Sequence, residues 1–160
     1  MPDLNRTIVA AVAGLLLALS AFAAGTTDFS GTWVLNTDKG QNLGMVKAVD
    51  ESIVVTQSAD KLVIDFTSKF MLKTTRRQVS YDLKGGPVPN EGAMGDKAQT
   101  VAKWVNGKLV VTWTSEGAVA GSTTVKTETR WLSADGNEMS VETARANKPP
   151  MVLVYDKQKK

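Results

Sequence analysis

The sequence predicts an all-β fold, an antiparallel up-and-down β-barrel of eight to ten strands, behind an N-terminal targeting segment. Three observations lead to this prediction. After residue 25 the chain is rich in Thr and Val, which favour strands. Apolar and polar residues alternate over short runs that end at Gly, Asn, Asp or Ser, and no helical period is sustained. Short turns join successive runs, which favours a barrel because closure removes exposed strand edges.

The first 24 residues, MPDLNRTIVAAVAGLLLALSAFAA, have the pattern of a signal peptide. An apolar run from Ile8 to Leu19 is followed by Ala21-Phe22-Ala23, which fits a small-x-small cleavage site. Residues 25–160 would then form a single exported domain, periplasmic or extracellular in a bacterium. An uncleaved membrane anchor is the alternative, but the stretch from Ile8 to Ala24 is at the short limit for a membrane span and contains Gly14 and Ser20.

The composition excludes much chemistry. The chain has no His and no Cys, which removes His-dependent triads, Cys nucleophiles, the usual zinc sites and disulfides. No acidic loop of the calcium-binding pattern is present, and Asp65 and Glu128 are expected to alternate outward. We therefore expect a non-catalytic protein with no metal and no cofactor. The net charge of +3 comes from scattered basic residues, so we expect no nucleic-acid partner.

Nine segments have the length and alternation of strands: 31–36, 52–57, 61–68, 73–83, 98–105, 108–116, 123–133, 138–145 and 151–157. Nine alternating strands would leave the first and last parallel, so we expect eight or ten. Either a short strand lies within 37–51, or two segments form one bent strand, or the barrel is incompletely closed. The Gly- and Pro-rich residues 84–97 are expected to form a surface loop. Loops of this length are either lids or binding loops, in which case this one could gate the barrel, or simple mobile connections.

The stretch SKFMLKTT, residues 68–75, allows two interpretations. Short apolar runs such as Phe70-Met71-Leu72 more often continue a buried strand, and this is the prediction we favour. The alternative is a hairpin tip that exposes an apolar knob between Lys69 and Lys73 to a ligand portal, a membrane surface or a partner.

The clearest hairpin is QTVAKWVNGKLVVTWTS, residues 99–115. Asn106-Gly107 suits a type I′ turn, which needs a positive φ at both positions. The turn predicts the opposed pairs Val105 and Lys108, Trp104 and Leu109, Ala102 and Val111, and Thr100 and Trp113. One face then carries Trp104, Leu109, Ala102, Val111 and Trp113, and a slip of one residue would reverse the faces.

The next strand, TVKTETRWL, also has two distinct faces. Val125, Thr127, Thr129 and Trp131 share one face, which we expect to point inward because of Trp131. The predicted ligand-lining residues are Trp104, Val111, Trp113, Thr129 and Trp131. In an open barrel these side chains line a cavity with a few polar contacts, whereas in a filled barrel they are core.

The opening stretch DFSGTWVLN resembles the Gly-x-Trp first strand of the calycin superfamily, the lipocalins and their relatives. The resemblance implies that Gly31 and Trp33 form the barrel floor, where a basic side chain, Lys157 or Arg145, packs over the indole. The whole chain after residue 24 is similar to small secreted bacterial lipocalin-like proteins. This similarity rests on the SGTW-x-LN start, the KLVVT and TETRWLSADGNEM hairpins and the LVYDK end, and it implies a fold more than an activity.

Two functions remain open from the sequence. The first is an exported, non-catalytic protein that binds a small, partly hydrophobic molecule in the barrel cavity. The alternative is a cell-envelope interaction or inhibitor-type protein, with a packed barrel that acts through its outer surface. The volume of the interior distinguishes them. After signal cleavage we expect no stable membrane insertion, and the sequence leaves the oligomeric state open.

The targeting prediction has a direct test. Protein isolated from its own host should begin at Ala24 or Gly25, because cleavage follows the Ala21-Phe22-Ala23 pattern. Intact mass spectrometry measures the mass of the isolated chain. A mass that includes the first 24 residues would instead favour the membrane anchor.

Overall fold

A computed structural model of the chain describes residues 26–145 and 147–159, so the predicted signal peptide lies outside the described residues. A short 3-10 helix spans Gly44–Ala48. The strands are β1 (Gly31–Leu35), β2 (Val49–Gln57), β3 (Lys61–Phe70), β4 (Lys73–Asp82), β5 (Val88–Glu91), β6 (Lys97–Val105), β7 (Lys108–Glu116), β8 (Thr123–Leu132), β9 (Glu138–Arg145) and β10 (Lys148–Lys157). Within the described ranges, no helix has the length and hydropathy needed to cross a membrane.

The ten strands form one antiparallel sheet in the order β4-β3-β2-β1-β10-β9-β8-β7-β6-β5. Pairing of β1 with β10 joins the two ends of the chain and curls the meander into a barrel. The last neighbours, β4 and β5, meet through a side chain: Asn90 Nδ2 donates to the carbonyl of Ser80 at 2.8 Å, and the amide of Ser80 donates to Asn90 Oδ1 at 2.9 Å. The barrel is therefore nearly closed, with a seam between β4 and β5.

The tenth strand is β5, which lies within the predicted loop 84–97 rather than within 37–51. Pro89 and its neighbours pair with β6, and Pro89 itself lies opposite Gln99. Proline is tolerated here because β5 is an edge strand whose other side needs no ladder of backbone donors. The prediction of eight or ten strands is confirmed, and the prediction of a surface loop over 84–97 is wrong at β5.

The predicted β6–β7 hairpin is confirmed with its register. Val105 is opposite Lys108 and Thr100 is opposite Trp113. Asn106 and Gly107 have φ values of 49° and 77°, as a turn of this kind requires.

The faces of β8 differ from the prediction. Leu109, Val111 and Trp113 point inward from β7, and their partners on β8 are Arg130, Glu128 and Lys126. Directly opposed residues lie on the same face of a sheet, so the charged side of β8 faces the interior. Thr129 and Trp131 therefore lie on the outer surface. The apolar character of Trp131 was a poor guide, because the ladder with β7 fixes which face turns inward.

One end of the barrel is closed by a floor around Trp33. Phe29 and Trp33 are 0% exposed, and the Trp33 Nε1 donates to the Phe29 carbonyl at 3.0 Å. The Lys157 ammonium lies 5.1 Å from the centre of the Trp33 ring, so Lys157 rather than Arg145 is the basic residue over the indole. Gly31 has φ +141°, and a Cβ there would lie 3.1 Å from the Lys157 side chain. The backbone angle therefore favours glycine, and a larger residue would also displace the end of the Lys157 side chain.

The two ends of the barrel carry different turns, which follow from the meander. The floor end holds the turns 58–60, 83–87, 106–107 and 133–137. The opposite end, called the mouth here, holds the 3-10 helix and the turns 71–72, 92–96 and 117–122. The stretch 68–75 turns at Met71 and Leu72, both exposed, so the prediction of a continuous buried strand is wrong there.

Replacing the floor indole should strongly destabilise the barrel. We expect Trp33→Ala to lower the free energy of unfolding by about 3–5 kcal/mol, because a fully buried Trp leaves a large cavity. Trp131→Ala is the matched control, and on the outer face it should cost about 1 kcal/mol or less. Urea denaturation measures both. Equal losses would contradict the assignment of inner and outer faces.

Candidate ligand-binding site

The interior of the barrel holds a group of polar side chains. Arg130 is 4% exposed, and Tyr81 and Tyr155 are each 2% exposed. Arg77, Glu51 and Glu128 are half-buried around them. We call the set the interior polar cluster: Glu51, Arg77, Tyr81, Glu128, Arg130 and Tyr155.

Glu51 is held by hydroxyl groups from two other strands. The Tyr155 hydroxyl on β10 donates to Glu51 Oε1 at 2.6 Å. The Ser68 hydroxyl on β3 donates to Glu51 Oε2 at 2.5 Å. Two short bonds to one carboxylate fix its position, because hydrogen bonds to an ionised acceptor are among the stronger ones.

The two arginines lack carboxylate partners. Within the described part of the chain, no ion pair includes Arg77 or Arg130, whereas Glu128 pairs with Lys126 at 2.9 Å. The Arg77 guanidinium lies over the Phe66 ring, 3.6 Å from its centre. Arg130 Nη1 donates to Met139 Sδ at 3.4 Å, and a thioether is only a weak acceptor. A buried positive charge without a carboxylate is costly to maintain.

Two buried donors in the same region are unsatisfied. Among the described residues, Trp113 Nε1 and Arg130 Nε have no hydrogen-bond partner. Tyr81 lies between the two residues, since its ring makes an edge contact with Trp113 at 6.2 Å and its hydroxyl interacts with Arg130. A buried donor without a partner typically costs about 1–3 kcal/mol. Acceptor atoms that entered this region would remove that cost at Trp113 Nε1 and at Arg130 Nε.

The two tyrosines are strongly shifted in their acidity. Burial raises the pKa of Tyr81 well above 10.0, Glu128 acts in the same direction, and Arg130 and Arg77 oppose the shift. Burial, followed by the nearby Glu51 carboxylate, likewise raises the pKa of Tyr155. Both phenols are therefore neutral donors at physiological pH.

The donors of the cluster suit recognition of an acidic group. Guanidinium, phenol and indole groups are all donors, and an oxygen anion is the acceptor that matches them. Within residues 26–145 and 147–159, no group of three or more acidic side chains is placed to hold a metal ion.

The predicted lining residues fall into three places. Val111 and Trp113 face the interior beside the polar cluster. Trp104 is half-buried and stacks on Phe29 with ring centres 6.0 Å apart, so it belongs to the floor. Thr129 and Trp131 lie outside, where the Lys108 ammonium covers the Trp131 ring at 4.3 Å.

Sequence reasoning missed the polar cluster, although two signals for it were present. The alternation in RQVSYD places Arg77, Val79 and Tyr81 on one face of β4. The alternation in KTETR also places Arg130 and Glu128 on one face of β8, which the structure turns inward opposite Leu109 and Val111. No local signal announced Glu51, whose partners are distant in sequence.

A cleft of about 510 Å³ lies at the mouth beside the seam. Its walls include Gln78 on β4, Asn90 on β5 and Ser115 on β7. Asn90 also donates to the buried Thr100 hydroxyl at 2.7 Å, so one side chain supports both the seam and the wall.

Comparison with known proteins adds information about the fold. No protein-family model matches the chain, and no curated protein matches it. A solved structure titled "REP1-NXSQ fatty acid transporter" has a TM-score of 0.63 at 16% identity, covering 82% of this chain and 96% of that chain. The chain therefore shares the β-barrel fold of this structure.

Two other solved barrels are similar over the same share of this chain. Human cRBP IV has a TM-score of 0.61 at 17% identity, covering 82% of this chain and 99% of its own. Fatty-acid-binding protein 1 of Echinococcus granulosus has a TM-score of 0.61 at 21% identity, with coverages of 82% and 98%. At such identities the likeness establishes the barrel architecture alone.

The buried tyrosines predict alkaline instability. Both have raised pKa values in the folded barrel, so as pH rises above about 10 the unfolded chain loses protons that the folded chain retains. The contribution of these two phenols to the free energy of unfolding should therefore be complete below about pH 10 and be lost progressively above it. Since Tyr81 and Tyr155 are the only tyrosines, phenolate absorbance of the native protein reports on them alone.

We expect little native phenolate absorbance until the barrel unfolds, and full titration near pH 10 in concentrated urea. Tyr81→Phe should halve the signal in urea. A phenol that titrates normally in the native protein would contradict its burial.

Proposed function

We propose that this chain is an exported, non-catalytic protein that binds a small, partly hydrophobic molecule with an acidic group inside the barrel. One observation carries the proposal: the Arg130 guanidinium is 4% exposed and its Nε is unpaired. The sequence pattern of residues 1–24 supports export.

An acidic ligand would supply the negative charge that the buried Arg130 guanidinium lacks. A buried charge that lacks its partner is unfavourable by about 3–5 kcal/mol relative to the paired state. A carboxylate placed against Arg130 forms charge-assisted bonds and can engage the guanidinium in bidentate fashion. Tyr81 and Trp113 supply neutral donors beside it. The ligand head is therefore selected by charge and by hydrogen bonding together.

The body of the ligand is expected to be apolar. Val111, Val141 and Phe66 lie around the cluster and are buried. Contact with such side chains contributes about 25 cal/mol per Å² of apolar surface removed from water. Two of the similar barrels are a fatty acid transporter and a fatty-acid-binding protein, which supports a ligand with an acidic head and an apolar body.

The second candidate is a barrel that acts through its outer surface in the cell envelope. The filled floor around Trp33, Phe29 and Trp104 supports this function, because that half of the interior is occupied by side chains. The ligand experiment below separates the two candidates.

Binding should depend on the acidic group and on Arg130. We expect dodecanoate to bind at least about tenfold more tightly than dodecanol, because only the carboxylate pairs with the guanidinium. Arg130→Met should abolish this preference while the free energy of unfolding of the unliganded protein stays unchanged or rises, since an unpaired buried charge is removed. Titration calorimetry and Trp fluorescence measure binding, and urea denaturation measures stability.

Arg76→Met is the matched control. Arg76 is exposed on the outer face of β4, one residue before Arg77, so the preference for dodecanoate should persist in this variant. Equal affinity for the two compounds in the unmodified protein would contradict an acid-binding site, and binding of neither would favour the outer-surface candidate.

A further inference from the structure

The most exposed apolar side chains lie at the mouth. In the described part of the chain, five large apolar side chains are 71% or more exposed, and all five are on mouth turns: Met45, Met71, Leu72, Met94 and Val119. Leu72 is 99% exposed and Met94 is 93% exposed. These residues come from four separate segments, which the meander brings to one end of the barrel.

The floor turns have a different composition. Residues 58–60 read Ser-Ala-Asp, 106–107 read Asn-Gly and 133–137 read Ser-Ala-Asp-Gly-Asn. These are ordinary solvated turn residues. The two ends of one barrel face the same solvent, so water alone does not explain why one end carries exposed Met and Leu.

The backbone conformation at Met71 is a second feature that distinguishes the mouth from the floor. Four described non-glycine residues have a positive φ, and three of them are Asn42, Asn106 and Asn147. The fourth is Met71, at φ 53°. Asn is enriched at such angles and a bulky residue is disfavoured there. The backbone is therefore strained at Met71, which lies at the tip of the β3–β4 hairpin.

The same hairpin is strongly basic. Between Asp65 and Asp82 the chain carries Lys69, Lys73, Arg76 and Arg77 and no acidic residue. Lys69 and Lys73 flank the exposed Met71 and Leu72, and Lys47 lies in the 3-10 helix beside Met45. The negative charge at this end lies on other segments, at Asp50 on β2, Glu91 on β5, Asp96 in the turn 92–96 and Glu116 on β7. The positive charge is thus concentrated at the β3–β4 tip.

We propose that the mouth docks reversibly on an anionic lipid bilayer, with Met71 and Leu72 inserted among the acyl chains and the flanking lysines at the phosphates. Apolar insertion combined with basic attraction is the usual basis of peripheral binding. The bilayer is the occupant that fits, because the exposed apolar side chains lie on separate segments at one end of the barrel rather than in one continuous patch. The inference stands independently of the ligand in the barrel.

A site-specific probe tests the orientation. The chain has no cysteine, so a single Leu72→Cys carries a solvatochromic dye at the mouth and Ala59→Cys carries it at the floor. With phosphatidylglycerol vesicles, the dye at 72 should shift to the blue while the dye at 59 stays unchanged. Phosphatidylcholine vesicles should give a much smaller shift, because the lysines then lack a negative surface.

The floor position also controls for the N-terminal segment. The Thr27 hydroxyl donates to the Gly107 carbonyl at the floor end, so the described part of the chain begins there. Anchoring through that segment alone would shift the dye at 59 rather than at 72. That result, or no shift at either position, overturns the proposal.

A second test separates docking from a structural role of the tip. In the full chain, Met71→Asn with Leu72→Ser should weaken sedimentation with phosphatidylglycerol vesicles by at least about tenfold. The free energy of unfolding should stay unchanged or rise, because Asn suits the positive φ. Val105→Ser, an exposed apolar change at the floor end, should leave sedimentation unchanged. Equal sedimentation of all three proteins overturns the proposal.

Discussion

The ladder between β7 and β8 determines the character of the interior. Once Leu109 and Val111 turn inward from β7, the partners Arg130 and Glu128 must turn inward from β8. A shift of one residue would return Trp131 to the interior and expose the charges, but it would also break the pairing that the β6–β7 hairpin and β9 impose on both sides. The barrel therefore holds a buried guanidinium because the register of its neighbours leaves no other arrangement.

The floor and the interior polar cluster differ in how fully their groups are satisfied. Trp33, Phe29 and Lys157 close one end of the barrel with apolar packing and a cation over an aromatic ring. In the interior polar cluster, the Nε of Arg130 is unpaired, and so is the indole donor of the neighbouring Trp113. Sites with unsatisfied groups cost stability, which the rest of the scaffold supplies.

The fold was readable from the sequence wherever local chemistry dictates local geometry. Asn106-Gly107 determined a hairpin and its register. The strand β5 was missed because Pro87 and Pro89 indicate a loop unless the strand is known to lie at an edge, which is a property of the whole sheet. The site was largely missed for the same reason, since Glu51 and Tyr155 meet only after closure, and Trp131 gave a misleading indication of the inner face.

The seam between β4 and β5 also determines how the chain could be rearranged. In the described residues no backbone ladder crosses the seam, and the first and last strands lie side by side, since the Gln158 amide donates to the Thr32 carbonyl at 2.9 Å. If the ends were joined and the chain were opened in the turn 83–87, the strands would run from β5 to β10 and then from β1 to β4. Every ladder would then connect consecutive strands. Such a circular permutant would keep the same barrel at a lower contact order, and it would fold faster because no pairing would need to close a chain-length loop.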